Sequence, residues 1–170
     1  MLAQHHLDYF KLGEIENEKF WRRLGGKPDF RNKLVLDFGC GHGSLAVDIA
    51  LSGAKRVIGI DLEKEYIDFA KENLEINYPA LKNKLEFHYL DILKQNTFFD
   101  FDYIVSKDTF EHTQNLDKVL EKMFDILSPT GKAMIGFGPL YNFYNGDHGR
   151  AEAILPWFHL IIPENILLKR

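Results

Sequence analysis

Residues Leu34–Ala50 read LVLDFGCGHGSLAVDIA. An apolar run comes first, then a turn with glycines at 39, 41 and 43, then the start of a helix. The run does not alternate polar with apolar, as expected of a parallel strand covered on both faces. A glycine-rich turn between strand and helix lets bare backbone approach a ligand. Asp37, two positions before the first glycine, places a carboxylate beside that turn.

The same pattern repeats outward from this stretch. RVIGID (Arg56–Asp61), LEFHYLDI (Leu85–Ile92), FDYIVSKD (Phe101–Asp108) and GKAMIGFG (Gly131–Gly138) read as four further strands. Helices are expected over Glu14–Leu24, Ser44–Ser52 and Glu63–Asn77. The strongest helical signal is Leu116, Val119, Leu120, Met123, Phe124 and Leu127, with Pro129 and Gly131 as stop signals. On Glu14–Leu24, the residues Ile15, Phe20, Trp21 and Leu24 are expected to share one face. Strands alternating with helices through short turns imply right-handed crossovers. The fold class is therefore α/β, a doubly wound, mainly parallel sheet. The chain divides into an N-terminal helical or lid segment (1–32), a core (33–138) and an aromatic loop or lid segment (139–170), within a single domain.

With 170 residues and 45% hydrophobic content, one sizeable core is expected. A net charge of −4, without a Lys/Arg block, favours neither nucleic acid nor an anionic membrane as partner. One cysteine, Cys40, excludes an intrachain disulfide and suits a reducing compartment. MLAQHHLDYF, without a basic start or an apolar run, does not read as a secretory signal, and no membrane span is expected. The stretch ILPWFHLII (Ile154–Ile162) is interrupted by Pro156 and His159 and is far short of the ~20 residues a span needs. A cytoplasmic location is expected.

In sheets of this kind a ligand sits beyond the carboxyl ends of the strands, where strand order reverses. Asp61 ends the second strand about 20 positions after the first glycine, a spacing that suits a ribose diol. The glycines do not follow the dinucleotide fingerprint, because the third arrives one position early and Ser44 follows it. Asp37 would oppose a pyrophosphate and favour a ligand carrying an ammonium or sulfonium group.

VLDFGCGHG, VIGIDLEKEYIDFAKEN, LDI and FDYIVSKDTFEHT, in that order within Lys33–Gly138, resemble the motif series of class I S-adenosylmethionine-dependent methyltransferases. Within that superfamily the likeness is to the methyltransferase type 11 group. It implies a Rossmann-like core, S-adenosyl-L-methionine as cofactor and methyl transfer to a small-molecule or lipid-like acceptor. Carried over to this chain, Gly39, Cys40, Gly41 and Gly43 would wrap the methionine portion, and Asp37 would attract its amino group. Asp61 would hold the ribose and Leu62 would lie on the adenine. Asp91 would accept from the adenine amino group, with the Ile92 backbone beside the ring. Ser106 and Lys107 would line the cofactor and the substrate entrance, and His112 would be the candidate acid/base. Each has a plainer alternative: a tight turn for the glycines, helix caps for Asp61 and Asp91, core for Leu62, a structural loop histidine for His112.

The rest of the sequence constrains less. His148, in NGDHG, could face the pocket. No metal-ligand spacing stands out, and His5–His6 are expected at the solvent. Tyr9, Phe10, Phe20 and Trp21 before the core, and Tyr141, Phe143, Tyr144, Trp157 and Phe158 after it, could form a lid or simply pack together. The 32 residues after Gly138 are too few for a helix and two more strands, so an incomplete domain is expected. A catalytically silent cofactor-binding module and a nicotinamide-dependent oxidoreductase remain the alternatives.

Overall fold

The structure is a computed structural model that describes residues 2–95 and 100–138. The expectations for residues 139–170, including His148 and the C-terminal aromatics, lie outside the described residues. Met1–Gly136 form one unit with five strands: β1 (Leu34–Phe38), β2 (Arg56–Asp61), β3 (Leu85–Tyr89), β4 (Phe101–Lys107) and β5 (Leu127–Gly136). Four α-helices accompany them: α1 (Gln4–Arg23), α2 (Ser44–Leu51), α3 (Lys64–Asn77) and α4 (Leu116–Ile126).

All four strand pairings are parallel, in the order β3-β2-β1-β4-β5. The doubly wound α/β expectation is met. Neighbouring positions on β1 serve opposite layers, since side chains alternate across a pleated sheet. Val35 joins a cluster with Phe10, Phe20, Ile49 and Ile67, from α1, α2 and α3. Leu36 joins Ile58, Ile104, Val119, Met123 and Ile126, on the α4 side. Both faces are covered, which explains the unbroken apolar runs.

The first helix is longer than its sequence pattern indicated. It begins at Gln4 and buries His6, Phe10, Asn17, Phe20 and Trp21, one stripe at helical spacing. Ile15, expected on that face, is exposed. The polar members His6 and Asn17 hide the first half of the stripe from a hydrophobicity count. The stop is as expected. Gly26 N–H donates to Trp21 O at 2.8 Å and Gly25 N–H to Arg22 O at 3.2 Å, both glycines at positive φ, a Schellman ending.

The last helix is shorter. It ends at Ile126, and Leu127 already pairs with Phe101 as part of β5. The register then shifts, and pairing resumes from Tyr103↔Lys132 to Lys107↔Gly136. Pro129 and Gly131 therefore act as an irregularity inside a strand; a Cβ at Gly131 would stand 2.7 Å from Phe101 O. The apolar positions of α4 also divide. Val119, Met123 and Ile126 are buried, whereas Leu116, Leu120 and Phe124 are exposed among the described residues.

Candidate functional site

The order β3-β2-β1-β4-β5 reverses direction at β1 and β4, which places the expected crevice at their carboxyl ends. A cleft of about 820 Å³ opens there. The turn after β1 forms its floor, the ends of β2 and β4 flank it, and α1 contributes Tyr9, Leu12 and Glu16.

The three glycines serve different needs. A Cβ on Gly39 would lie 2.2 Å from the Thr109 methyl, and one on Gly43 2.6 Å from the Phe87 ring. Both positions, at φ +71° and +85°, are bare because the protein packs against them. Gly41 meets nothing within 4 Å and lines the cleft. Gly43 does not line it. Four of the turn's amides are spent inside the protein: Gly39 and Cys40 donate to Ile60 O, Gly41 to Asp61 Oδ2, and Gly43 to Cys40 O. A phosphate cradle needs such amides free, so the turn is poorly suited to pyrophosphate. Cys40 is buried, and burial first, then Asp37 and Asp61, pushes its thiol well above the ordinary value, away from reactive thiolate chemistry.

Asp37 is 1% exposed, and its Oδ2 has no hydrogen-bond partner among the described residues. Burial pushes its carboxyl up to about 7; Asp61 adds to the rise, and the Lys107 ammonium and Ala46 amide oppose it. A buried carboxylate oxygen at a cleft with no donor is costly unless a cationic ligand completes it. Asp61 combines the functional and the plain reading. Its Oδ2 accepts from Gly41 N–H at 2.7 Å and its Oδ1 from Glu63 N–H at 2.8 Å, which joins the glycine turn to the start of α3. Each oxygen keeps a second acceptor site for a ligand hydroxyl.

Asp91 caps the turn Ile92–Lys94 by accepting from Leu93 N–H at 3.0 Å, while still lining the cleft. Ile92 is buried beneath it, and Leu62 is 63% exposed on the cleft wall. Ser106 stands apart from the expectation. It is fully buried, donates to Phe38 O at 2.9 Å and does not line the cleft, so it joins β4 to β1.

Lys107 reaches the other way, into α1. Its Nζ donates to Asn17 Oδ1 at 2.6 Å and to Gly13 O at 3.3 Å, and Asn17 Nδ2 donates to Ser44 O at 3.1 Å. Burial holds the Lys107 ammonium below its usual range, against the pull of Asp37 and Asp108. His112 ends the turn Phe110–His112, with its ring exposed on the cleft.

Sequence reasoning missed several cleft residues. Asp108 holds a left-handed φ of +53°, rare for a side chain, and burial raises its carboxyl, with Lys107 opposing and Glu111 adding. Tyr66, and with it Tyr9, which the sequence offered as a lid or packing aromatic, flank His42 at ring distances of 4.4 and 4.6 Å. The expectation for the N-terminal pair holds for His5 but needs correction for His6. His6 is 9% exposed, because its ring nitrogen Nδ1 lies 2.7 Å from His42 Nε2. A histidine between two turn glycines was the visible signal, but its partner lies 36 positions earlier.

The family described as "Methyltransferase domain" matches residues 29–137. The chain is 32% identical over 112 residues to the mitochondrial ubiquinone biosynthesis O-methyltransferase of Bos taurus, covering 65% of this chain and 30% of that protein. It is 47% identical over 60 residues to the ribosomal protein L11 methyltransferase of Shewanella halifaxensis, covering 35% and 20%. The fold is shared with the magnesium protoporphyrin IX methyltransferase of Synechocystis PCC 6803, solved with bound SAM: TM-score 0.60, 20% identity, 76% of this chain and 60% of that one. The chain spans less than a third of the length of these two curated relatives.

Proposed function

The chain belongs to the methyltransferase-domain family, and from that premise we propose that its cleft binds S-adenosyl-L-methionine and transfers the methyl group to a small-molecule or lipid-like acceptor. The observation that carries the reading is Asp37. A buried carboxylate oxygen without a donor among the described residues, beneath a turn four of whose amides are already engaged, suits an ammonium and repels a phosphate. Gly41, with open space where a side chain would be, leaves room for the methionine portion.

When bound, S-adenosylmethionine supplies a methyl group on a sulfonium, which is already a good leaving group. The chain's residues then hold, orient and exclude water. In this reading Asp37 pairs with the amino group, Asp61 accepts from the ribose, and Leu62, Asp91 and Ile92 border the adenine. Gly39, Cys40 and Gly43 shape the turn without needing to touch the ligand. Lys107 sets α1 against the end of β4, and Ser106 supports that end from inside. His112 is the group available to take a proton from the acceptor, a role needed only for poorly ionised oxygen or carbon acceptors.

The two curated relatives differ in name, one for O-methylation in ubiquinone biosynthesis and one for ribosomal protein L11. The aromatic and apolar residues that α1 brings to the cleft, Tyr9 and Leu12, support the smaller, less polar acceptor. The test has two arms. Calorimetric titration with S-adenosylhomocysteine should give saturable 1:1 binding, lost with reduced dinucleotide; the reverse would overturn the cofactor assignment. Labelled methyl transfer to quinol, phenol, amine and ribosomal-protein acceptors should favour the first three. Cofactor binding without transfer to any of them would identify a silent binding module.

A further inference from the structure

We propose that His5, His6 and Glu65 form a site for a divalent transition-metal ion of the zinc class, joining α1 to α3 beside the glycine turn. This does not rest on the methyl-transfer reading. One ligand atom from each residue lies within 4.8 Å of the other two. His6 Nε2 is 3.0 Å from Glu65 Oε1. Zinc bonds of about 2.0–2.2 Å to nitrogen and oxygen require donors a little over 3 Å apart. His5 and Glu65 are exposed, so their side chains can rotate to close the remaining gap. Three donors of this kind leave a fourth position for water, and two imidazoles with a carboxylate select zinc, nickel or copper over magnesium or calcium.

Two further observations separate this cluster from a chance pairing. Consecutive helix residues point about 100° apart, yet the His5 and His6 rings have centroids only 4.0 Å apart. The His5 ring nitrogens have no hydrogen-bond partner among the described residues. The second observation is the outer shell. A metal-bound imidazole normally gives its other N–H to a fixed acceptor, and His6 Nδ1 faces His42 Nε2 at 2.7 Å. That acceptor is itself fixed, packed between Tyr9, Tyr66 and Phe69. Coordination through His6 Nε2 requires the His6 proton on Nδ1, with His42 accepting. The glycine turn thereby becomes the outer shell of the metal.

The test is a Zn²⁺ titration of the untagged full chain, read by calorimetry and by nitrogen NMR of the histidine rings. The expected result is one ion per chain, with His6 held as the Nδ1–H tautomer. His5→Ala and Glu65→Gln, both at exposed positions, should each weaken binding by roughly tenfold or more with unchanged thermal midpoints in the absence of metal. His88→Ala, in a separate pair with Glu86, should leave the affinity unchanged. Binding no tighter than millimolar, or affinity insensitive to both His5→Ala and Glu65→Gln, overturns the site.

Discussion

Asp37 carries two opposed contributions, one to folding and one to binding. Its carboxyl is raised to about 7 in the fold, against 3.8 for a free side chain. Well below pH 3.8 it is protonated in both states and costs nothing. As pH climbs from 4 to 7 only the unfolded chain ionises, so stability drains away, by up to about 4 kcal/mol, and then levels off. Asp37→Asn should thus raise the thermal midpoint of the ligand-free protein at pH 8 and leave it unchanged near pH 4. The same variant should weaken S-adenosylhomocysteine binding at pH 8 by tenfold or more. Equal midpoints at pH 8 would show that the carboxylate is not penalised.

The glycines allow a second comparison at this scale. Gly43→Ala drives a methyl toward the Phe87 ring at a left-handed φ and should cost about 2–4 kcal/mol in chemical denaturation. Gly41→Ala, facing open space, should cost only about 1 kcal/mol, with the larger loss in cofactor affinity. The three glycines look equivalent in sequence. What distinguishes them is which neighbour stands where a Cβ would be, and Thr109, just past β4, and Phe87, on β3, lie tens of residues further along the chain.

Among the elements, α1 depends most on tertiary context. Its sequence reads as a helix only from Glu14 on, yet the helix starts at Gln4. Asn17 is the reason its second half seats closely: it donates to the start of α2 and accepts from Lys107 at the end of β4. Asn17→Ala leaves the buried Lys107 ammonium and the Ser44 carbonyl each short of a partner, and should cost about 2–4 kcal/mol. A Lys107→Met change on top of Asn17→Ala should cost less than the two separate losses combined, since both remove one hydrogen bond. Strict additivity in urea denaturation would show that the pair is not coupled. For β1 and β2, by contrast, the apolar runs mark the strands nearly to the residue, because Val35, Leu36, Val57, Ile58 and Ile60 are buried and need no polar partner.

At the scale of the whole molecule, stability and binding should be separable. Ile104 on β4 is fully buried in the α4-side cluster, away from the cleft. Ile104→Ala should destabilise by about 2–5 kcal/mol while the folded fraction keeps its cofactor affinity. Asp61→Ala should do the converse in larger part. It loses the ribose acceptor, at about 1–3 kcal/mol of binding, and also releases Gly41 and Glu63 amides, so some stability goes with it. Cofactor at 100 times its dissociation constant should stabilise Ile104→Ala and the parent chain alike, by about 2.7 kcal/mol. A smaller increment in the Ile104 variant would mean that the cleft depends on that layer.

The sequence alone determined the succession of strand, turn and helix, the parallel sense of the sheet and the acids at the strand ends. Those properties are local: burial on two faces, turn chemistry and spacing along one chain are written in consecutive residues. Only the tertiary structure decided that Asp37 Oδ2 has no donor among the described residues, that Ser106 faces inward to β1 while Lys107 reaches α1, and that His6 meets His42. Each of those outcomes joins positions tens of residues apart. No local pattern encodes them, because the close packing of the whole unit selects which distant polar groups end up within hydrogen-bond reach.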